Sequence, residues 1–240
     1  MNHELIHFSS PQILARAAAQ HWLDELALLS QQDRPLGVAL SGGRITQTFF
    51  NEVVDIARKR PLNWDNCHFF WADERCVPPE DAESNFKLAN ELLLKPLQIK
   101  PHCIHRLRGE ANPAETAAAA CAELASVLPT AGGAMSQLDW VFLGMGEDGH
   151  VASLFPNTPR DLWQSPDAFI VVTDSPKPPP IRLSLSLAAI AAARQVWVLA
   201  SGTGKTPALQ ASLAPNGNTP LARVIKVRSA SRIYTDLPGV

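Results

Sequence analysis

Gly144-Met145-Gly146-Glu147-Asp148-Gly149-His150 places an imidazole and two carboxylates in one glycine-rich turn, directly after the apolar run 138–143. Glycines let such a turn fold tightly against a ligand. An imidazole of ordinary pKa about 6.5 is largely neutral at pH 7, as a base must be. Three more polar turns follow short apolar runs: Ser41-Gly42-Gly43-Arg44 after 36–40, Asp73-Glu74-Arg75 after 67–71, and Gly202-Thr203-Gly204-Lys205 after 196–200. Glycine-turn amides at a helix start, together with one lysine, suit a phosphate. An arginine binds phosphate or carboxylate through two parallel hydrogen bonds. A histidine base beside phosphate-binding groups fits proton abstraction or water activation on a phosphorylated small molecule.

These turns lie far apart in the chain, so the fold must bring them together. Ser10-Pro11 starts a helix whose buried face is Leu14, Ala18, Trp22, Leu26 and Leu29. Apolar runs predict strands over 36–40, 67–71, 138–143, 169–172, 196–200 and 224–227. Helices are expected over 45–58, 84–94, 113–127 and 183–193, the third opened by the capping-box-like Asn112-Pro113-Ala114-Glu115. Residues 130–136 read as a loop, and the proline-rich 175–180 as irregular. Strands alternating with helices argue a three-layer α/β/α fold with a mostly parallel, Rossmann-like sheet. In such a sheet the strand C-termini share one edge, and ligands bind in the crevice beyond it. Residues 1–240 read as a single domain.

A formal charge of -2 gives no global pull toward nucleic acid or an anionic membrane. No apolar stretch nears the ~20 residues of a spanning helix, and no secretory signal is expected. Cys67, Cys76, Cys103 and Cys121 form no CxxC pair, which points to reduced thiols, a cytoplasmic setting and no zinc cluster. Gly144-x-Gly146-x-x-Gly149 is a literal GxGxxG, but Pro156 and Pro159 leave little room for the helix a dinucleotide fingerprint opens. Its two acids also stand where a pyrophosphate needs positive potential. Gly204-Lys205-Thr206 resembles the tail of a P-loop, yet Leu199 occupies the position of the first glycine. GxSxG and HExxH are both missing, so covalent serine catalysis and zinc proteolysis have no support.

The same residues resemble the 6-phosphogluconolactonase family, whose fold is shared with glucosamine-6-phosphate deaminase and ribose-5-phosphate isomerase. LSGGRIT at 40–46 is similar to the family's phosphate loop, and WADERCVPPEDAESNF at 71–86 to its Asp-Glu-Arg segment with a trailing Ser-Asn. GMGEDGHVASLFP at 144–156 looks like its signature, with PPPIRLSLSL at 178–187 and GTGKTPAL at 202–209 as its closing pair. The deaminase has a similar Asp-Gly-His turn followed by Asn-Glu-Pro; here Ser153-Leu154-Phe155-Pro156 follows, which favours the lactonase.

The resemblance implies hydrolysis of 6-phospho-D-glucono-1,5-lactone to 6-phosphogluconate in the oxidative pentose phosphate pathway. His150 is then the general base, oriented by Asp148 or Asp73. Lys205, Arg75 and the Ser41, Gly42 and Gly43 backbone hold phosphate, with Arg182 a further candidate. Amides around Gly144, Gly146 and Gly149, or Arg75, stabilise the oxyanion. Neither cofactor nor metal is implied. The partner is a phosphorylated sugar lactone, with no nucleic acid or membrane, and the chain is expected as a monomer or weak homodimer. Two positions depart from the family pattern. Arg44 stands where serine or threonine is usual, so backbone amides, Thr46 or the Arg44 guanidinium must compensate, and Val151 replaces a threonine. The alternatives on this fold are a sugar-phosphate deaminase or isomerase and a non-catalytic sensor. A sensor would usually carry a DNA-binding module, for which no length is spare.

Overall fold

The computed structural model describes residues 3–60, 62–130, 135–228 and 230–240. In chain order these form β1 (Glu4–His7), α1 (Pro11–Leu29), β2 (Leu36–Leu40), α2 (Arg44–Lys59), β3 (Cys67–Trp71), β4 (Asp73–Arg75) and α3 (Asn85–Ala89), which runs into a π-helical turn (Asn90–Leu94). Next come α4 (Pro113–Val127), β5 (Trp140–Gly144), α5 (Arg160–Trp163), β6 (Phe169–Val172), β7 (Arg182–Leu185) and α6 (Leu187–Ala192). The chain closes with β8 (Gln195–Ala200), α7 (Thr206–Leu213), α8 (Pro220–Val227) and β9 (Arg232–Thr235).

Six strands build one parallel sheet in the order β1-β9-β8-β5-β2-β3. Helices flank it, the three-layer architecture expected from the alternation. All five residues of β2 are buried, as are four of the five in β5, which explains why both read as continuous apolar runs. Trp22 of α1 packs edge-on to Phe142 of β5 and tilted on Phe49 of α2, with ring centroids 5.1 and 5.9 Å away, and so ties two helices to the sheet. Ser10 caps α1 by accepting from the Ile13 amide, with Pro11 in the first turn. Among the described residues, no helix is long and apolar enough to cross a membrane.

Three expectations are corrected. Asp73-Glu74-Arg75 is not a turn: it is β4, paired antiparallel with β7, which also pairs with β6 to make a second, three-stranded sheet. Residues 183–193 are not one helix. Arg182-Leu183-Ser184-Leu185 alternates with period two and enters that sheet, and Ser186 then caps the short α6 by accepting from the Ala189 amide. Residues 224–227 are helical rather than a strand: Thr219 caps α8, Pro220 opens it, and Leu221, Val224 and Ile225 fall on its buried face. The sheet instead ends in β9, with β1 beside it at the edge; neither short strand was foreseen. The loop expected over 130–136 falls largely on residues 131–134, outside the described residues.

Candidate active site

β2, β5 and β8 run parallel, so the turns that follow them emerge at one edge of the sheet. The second sheet brings β4 and β7 to the same place, with Arg75 opposite Arg182 and Asp73 opposite Ser184. Together they enclose a cavity of about 360 Å³. Ser41, Gly42, Gly43, Arg44, Asp73, Arg75, Gly144, Gly146, His150, Arg182 and Lys205 all line it. Asp148 stands behind His150, and Gly149 is buried in the turn.

The imidazole is held by its own turn. Nδ1 of His150 lies 2.5 Å from Oδ1 of Asp148, and the His150 amide donates to the same oxygen at 3.2 Å. A carboxylate accepting from Nδ1–H leaves the lone pair on Nε2, the nitrogen a base would use. Asp73, the other candidate to orient the ring, is instead bound elsewhere: Oδ2 accepts from Ser153 Oγ at 2.8 Å and Oδ1 from Asn85 Nδ2 at 3.2 Å. Burial holds the His150 pKa below its ordinary value, and the Asp148 carboxylate opposes that shift only in part. Burial pushes the Asp148 carboxyl up, but its contacts with His150 bring it below the usual value. The Phe155 ring packs 4.7 Å from the imidazole, centroid to centroid.

Two glycines expected to supply oxyanion donors do not present free N–H groups. The Gly146 amide donates to the His150 carbonyl at 2.9 Å, and the Gly149 amide to the Gly146 carbonyl at 3.0 Å. Both bonds close the turn on itself. Gly146 is needed for a different reason: a Cβ there would overlap Nδ1 and Cε1 of His150.

Around the imidazole most of the charged side chains are cationic. No side chain caps the N-terminus of α2, so its first amides and positive dipole end open at the Gly42-Gly43 turn. Gly43 holds this turn at φ +107°, a conformation that favours glycine. Ser41 does not offer its hydroxyl proton to the cavity; it donates to the Phe142 carbonyl at 2.8 Å and joins the ends of β2 and β5. Thr46 likewise donates to the Gly42 carbonyl at 2.9 Å, so the guanidinium of Arg44, and not the Thr46 hydroxyl, reaches the cavity. Lys205 reaches it from the far side; burial and then the Arg44 charge lower its pKa. Its ammonium has no hydrogen-bond or ion-pair partner among the described residues.

Arg75 donates from Nη1 to the Glu83 carbonyl at 2.6 Å, while its Nε is buried without a partner among the described residues. Beneath it Glu74, 2% exposed, accepts from the Arg75, Asn85 and Phe86 amides and from Ser84 Oγ, and so anchors the start of α3. Burial pushes the Glu74 carboxyl up against the pull of those amides. Arg182 turns its guanidinium to the proline-rich segment and donates to the carbonyls of Lys177, Pro178 and Pro179, so it is a clamp more than a free phosphate ligand.

Three polar lining residues escaped the reading of the sequence: Asn85, Glu147 and Lys177. Asn85 was visible only as the end of the Ser-Asn pair after the Asp-Glu-Arg segment. Glu147 was seen as an acid of the turn but given no role. Lys177 carries no local signal, because an isolated lysine among prolines reads as surface.

Comparison with known proteins bears on the family and the fold. A family model described as glucosamine-6-phosphate isomerases/6-phosphogluconolactonase matches residues 9–234. The 6-phosphogluconolactonase of Haemophilus influenzae is 33% identical over 229 residues, which cover 92% of this chain and 95% of that protein. The crystal structure of devB protein superposes with a TM-score of 0.85 at 31% identity, covering 97% of this chain and 96% of that one. That of 6-phosphogluconolactonase from Trypanosoma brucei gives 0.82 at 28% identity, covering 98% and 95%. The chain belongs to the glucosamine-6-phosphate isomerase/6-phosphogluconolactonase family.

Proposed function

We propose that this protein hydrolyses 6-phospho-D-glucono-1,5-lactone to 6-phospho-D-gluconate, with His150 as general base. The observation that carries this reading is the Asp148–His150 pair, with Nε2 free, on a cavity that five cations and an uncapped helix start also line. The names of the relatives support the substrate. Nε2 takes a proton from water as the water oxygen bonds to C1 of the lactone. The tetrahedral oxyanion then collapses, the bond from C1 to the ring oxygen breaks, and the imidazolium returns its proton to the leaving C5 oxygen. The carboxylic acid product ionises near neutrality and releases one proton to solvent. Lys205, Arg44 and the α2 amides hold the 6-phosphate. One hydrophobic core running through both sheets supports the reading of the chain as one domain.

Lys205→Ala tests the phosphate end. A charge-assisted hydrogen bond is worth about 1.5–3 kcal/mol, so the Kd for 6-phosphogluconate should rise about tenfold to a hundredfold by calorimetry. Binding of gluconate without its phosphate should not change. An unchanged Kd for 6-phosphogluconate would remove Lys205 from the phosphate site.

The acid limb of kcat/KM tests the base. His150 must be neutral, and its pKa is held below 6.5, so activity should persist down to pH 6.5 and fall tenfold per unit only below the lowered pKa. Asp148→Asn removes a charge that raises the His150 pKa; the limb should then move to still lower pH while kcat drops through loss of ring orientation. A wild-type limb centred above 6.5, measured by stopped-flow with a pH indicator, would contradict the assignment.

A further inference from the structure

Lys177 rides on the proline-rich segment 175–180, at the rim of the same cavity. The segment is built to hold it. Ser175 Oγ donates to the Lys177 carbonyl at 2.9 Å and accepts from its amide at 3.3 Å. Arg182, 4% exposed, donates from Nη2 to the carbonyls of Lys177 and Pro178 at 3.1 and 3.4 Å, and from Nε to Pro179 at 3.2 Å. The same guanidinium lies 5.7 Å from the Phe155 ring centroid, and Phe155 packs on the His150 imidazole. The backbone of Lys177 is thus fixed relative to the base, while its ammonium has no hydrogen-bond or ion-pair partner among the described residues.

The hydrolysis needs a donor for its oxyanion. The Gly146 and Gly149 amides are engaged in closing their turn, so they cannot receive the oxyanion. Water activated by Nε2 attacks within hydrogen-bond reach of the ring, so negative charge develops beside it. Lys177 lines the same cavity as His150, and its positive charge opposes protonation of the imidazole. Arg44 stands by Lys205 at the α2 end, the Lys177 charge acts on Lys205 as well, and Arg75 is tied to Glu83 through Nη1.

We propose that Lys177 is a catalytic residue, its ammonium donating to the oxyanion formed at C1, and that Arg182 is the positioning residue that clamps the strap carrying it. The assignment rests on the lactonase reading. It predicts a split opposite to that of Lys205. Lys177→Gln should lower kcat about 10²–10³-fold, as loss of one oxyanion donor does, with KM and the Kd for 6-phosphogluconate within about threefold. Removing a positive charge near His150 should also raise the imidazole pKa and move the acid limb to higher pH, a shift that a merely structural role would not produce. Arg182→Ala should lower kcat in the same direction and add little to Lys177→Gln, since both act through one group. Arg182→Lys, which keeps the charge without the planar fork, should recover only part. Lys177 is exposed, so Lys177→Gln tests the assignment even if Arg182→Ala fails to fold. A raised KM and Kd at unchanged kcat would make Lys177 a phosphate ligand and overturn the proposal, as would kinetics and an acid limb identical to wild type. Failure of the wild-type chain to accelerate lactone hydrolysis would overturn the lactonase reading itself, a result visible before any variant is made.

Discussion

Replacing His150 with glutamine is expected to lower kcat about 10²–10⁴-fold, the usual contribution of a positioned general base. Glutamine fills much of the imidazole volume and can still donate to Asp148, but it has no basic nitrogen. The loss should therefore fall on kcat, with KM and the Kd for 6-phosphogluconate nearly unchanged, since the phosphate is assigned to Lys205, Arg44 and the α2 amides and not to the ring. Circular dichroism and Tm should stay close to wild type, because the described hydrogen bonds of the ring go to Asp148 alone. Residual catalysis should remain from binding and from electrostatic stabilisation. Near-normal turnover at saturating substrate would take His150 out of the base role.

Gly146→Ala should disable the site with only one added methyl group. A Cβ on residue 146 would overlap Nδ1 and Cε1 of His150 and stand 2.7 Å from Asp148 Oδ1. The backbone itself need not strain, as Gly146 is not among the positive-φ glycines. The methyl group thus acts on the Asp148–His150 pair, pushing the imidazole from its tautomer-fixing partner. A small misplacement of a catalytic group costs about 10²-fold, so kcat should fall by that order or more while ligand affinity holds within threefold. Because the effect passes through His150, the double variant Gly146→Ala/His150→Gln should be scarcely slower than His150→Gln alone. Additive losses would mean that Gly146 serves the reaction by another route.

Local chemistry was readable wherever it depended on neighbours in the chain. Proline in the first turn and a capping Ser or Asn marked the starts of α1 and α4, and buried runs marked β2, β3 and β8. β1 and β9 were not visible: each has four residues, and each owes its existence to parallel pairing with strands distant in sequence. The Arg182-Leu183-Ser184-Leu185 alternation was missed because the alanine-rich stretch after it suggested helix, although Ser186 separates the two.

The site divides in the same way. Converging strand ends located the cavity, and His150 was singled out by its turn. The choice between Asp148 and Asp73 as its partner needed the folded turn, since only there does the carboxylate two residues before the histidine curl back to Nδ1. Lys177 needed more: its place depends on the clamp from Arg182, whose own strand was unrecognised.

The most direct test is acid release from freshly generated 6-phosphogluconolactone, followed by pH-stat near pH 7 with and without the protein, and repeated with His150→Gln. The lactone opens slowly by itself, so the signal is the excess over that background. The wild-type chain should release one equivalent of acid far faster than the buffer, and His150→Gln should lose about 10²–10⁴ of that acceleration. A wild-type trace that overlays the spontaneous one would contradict the account.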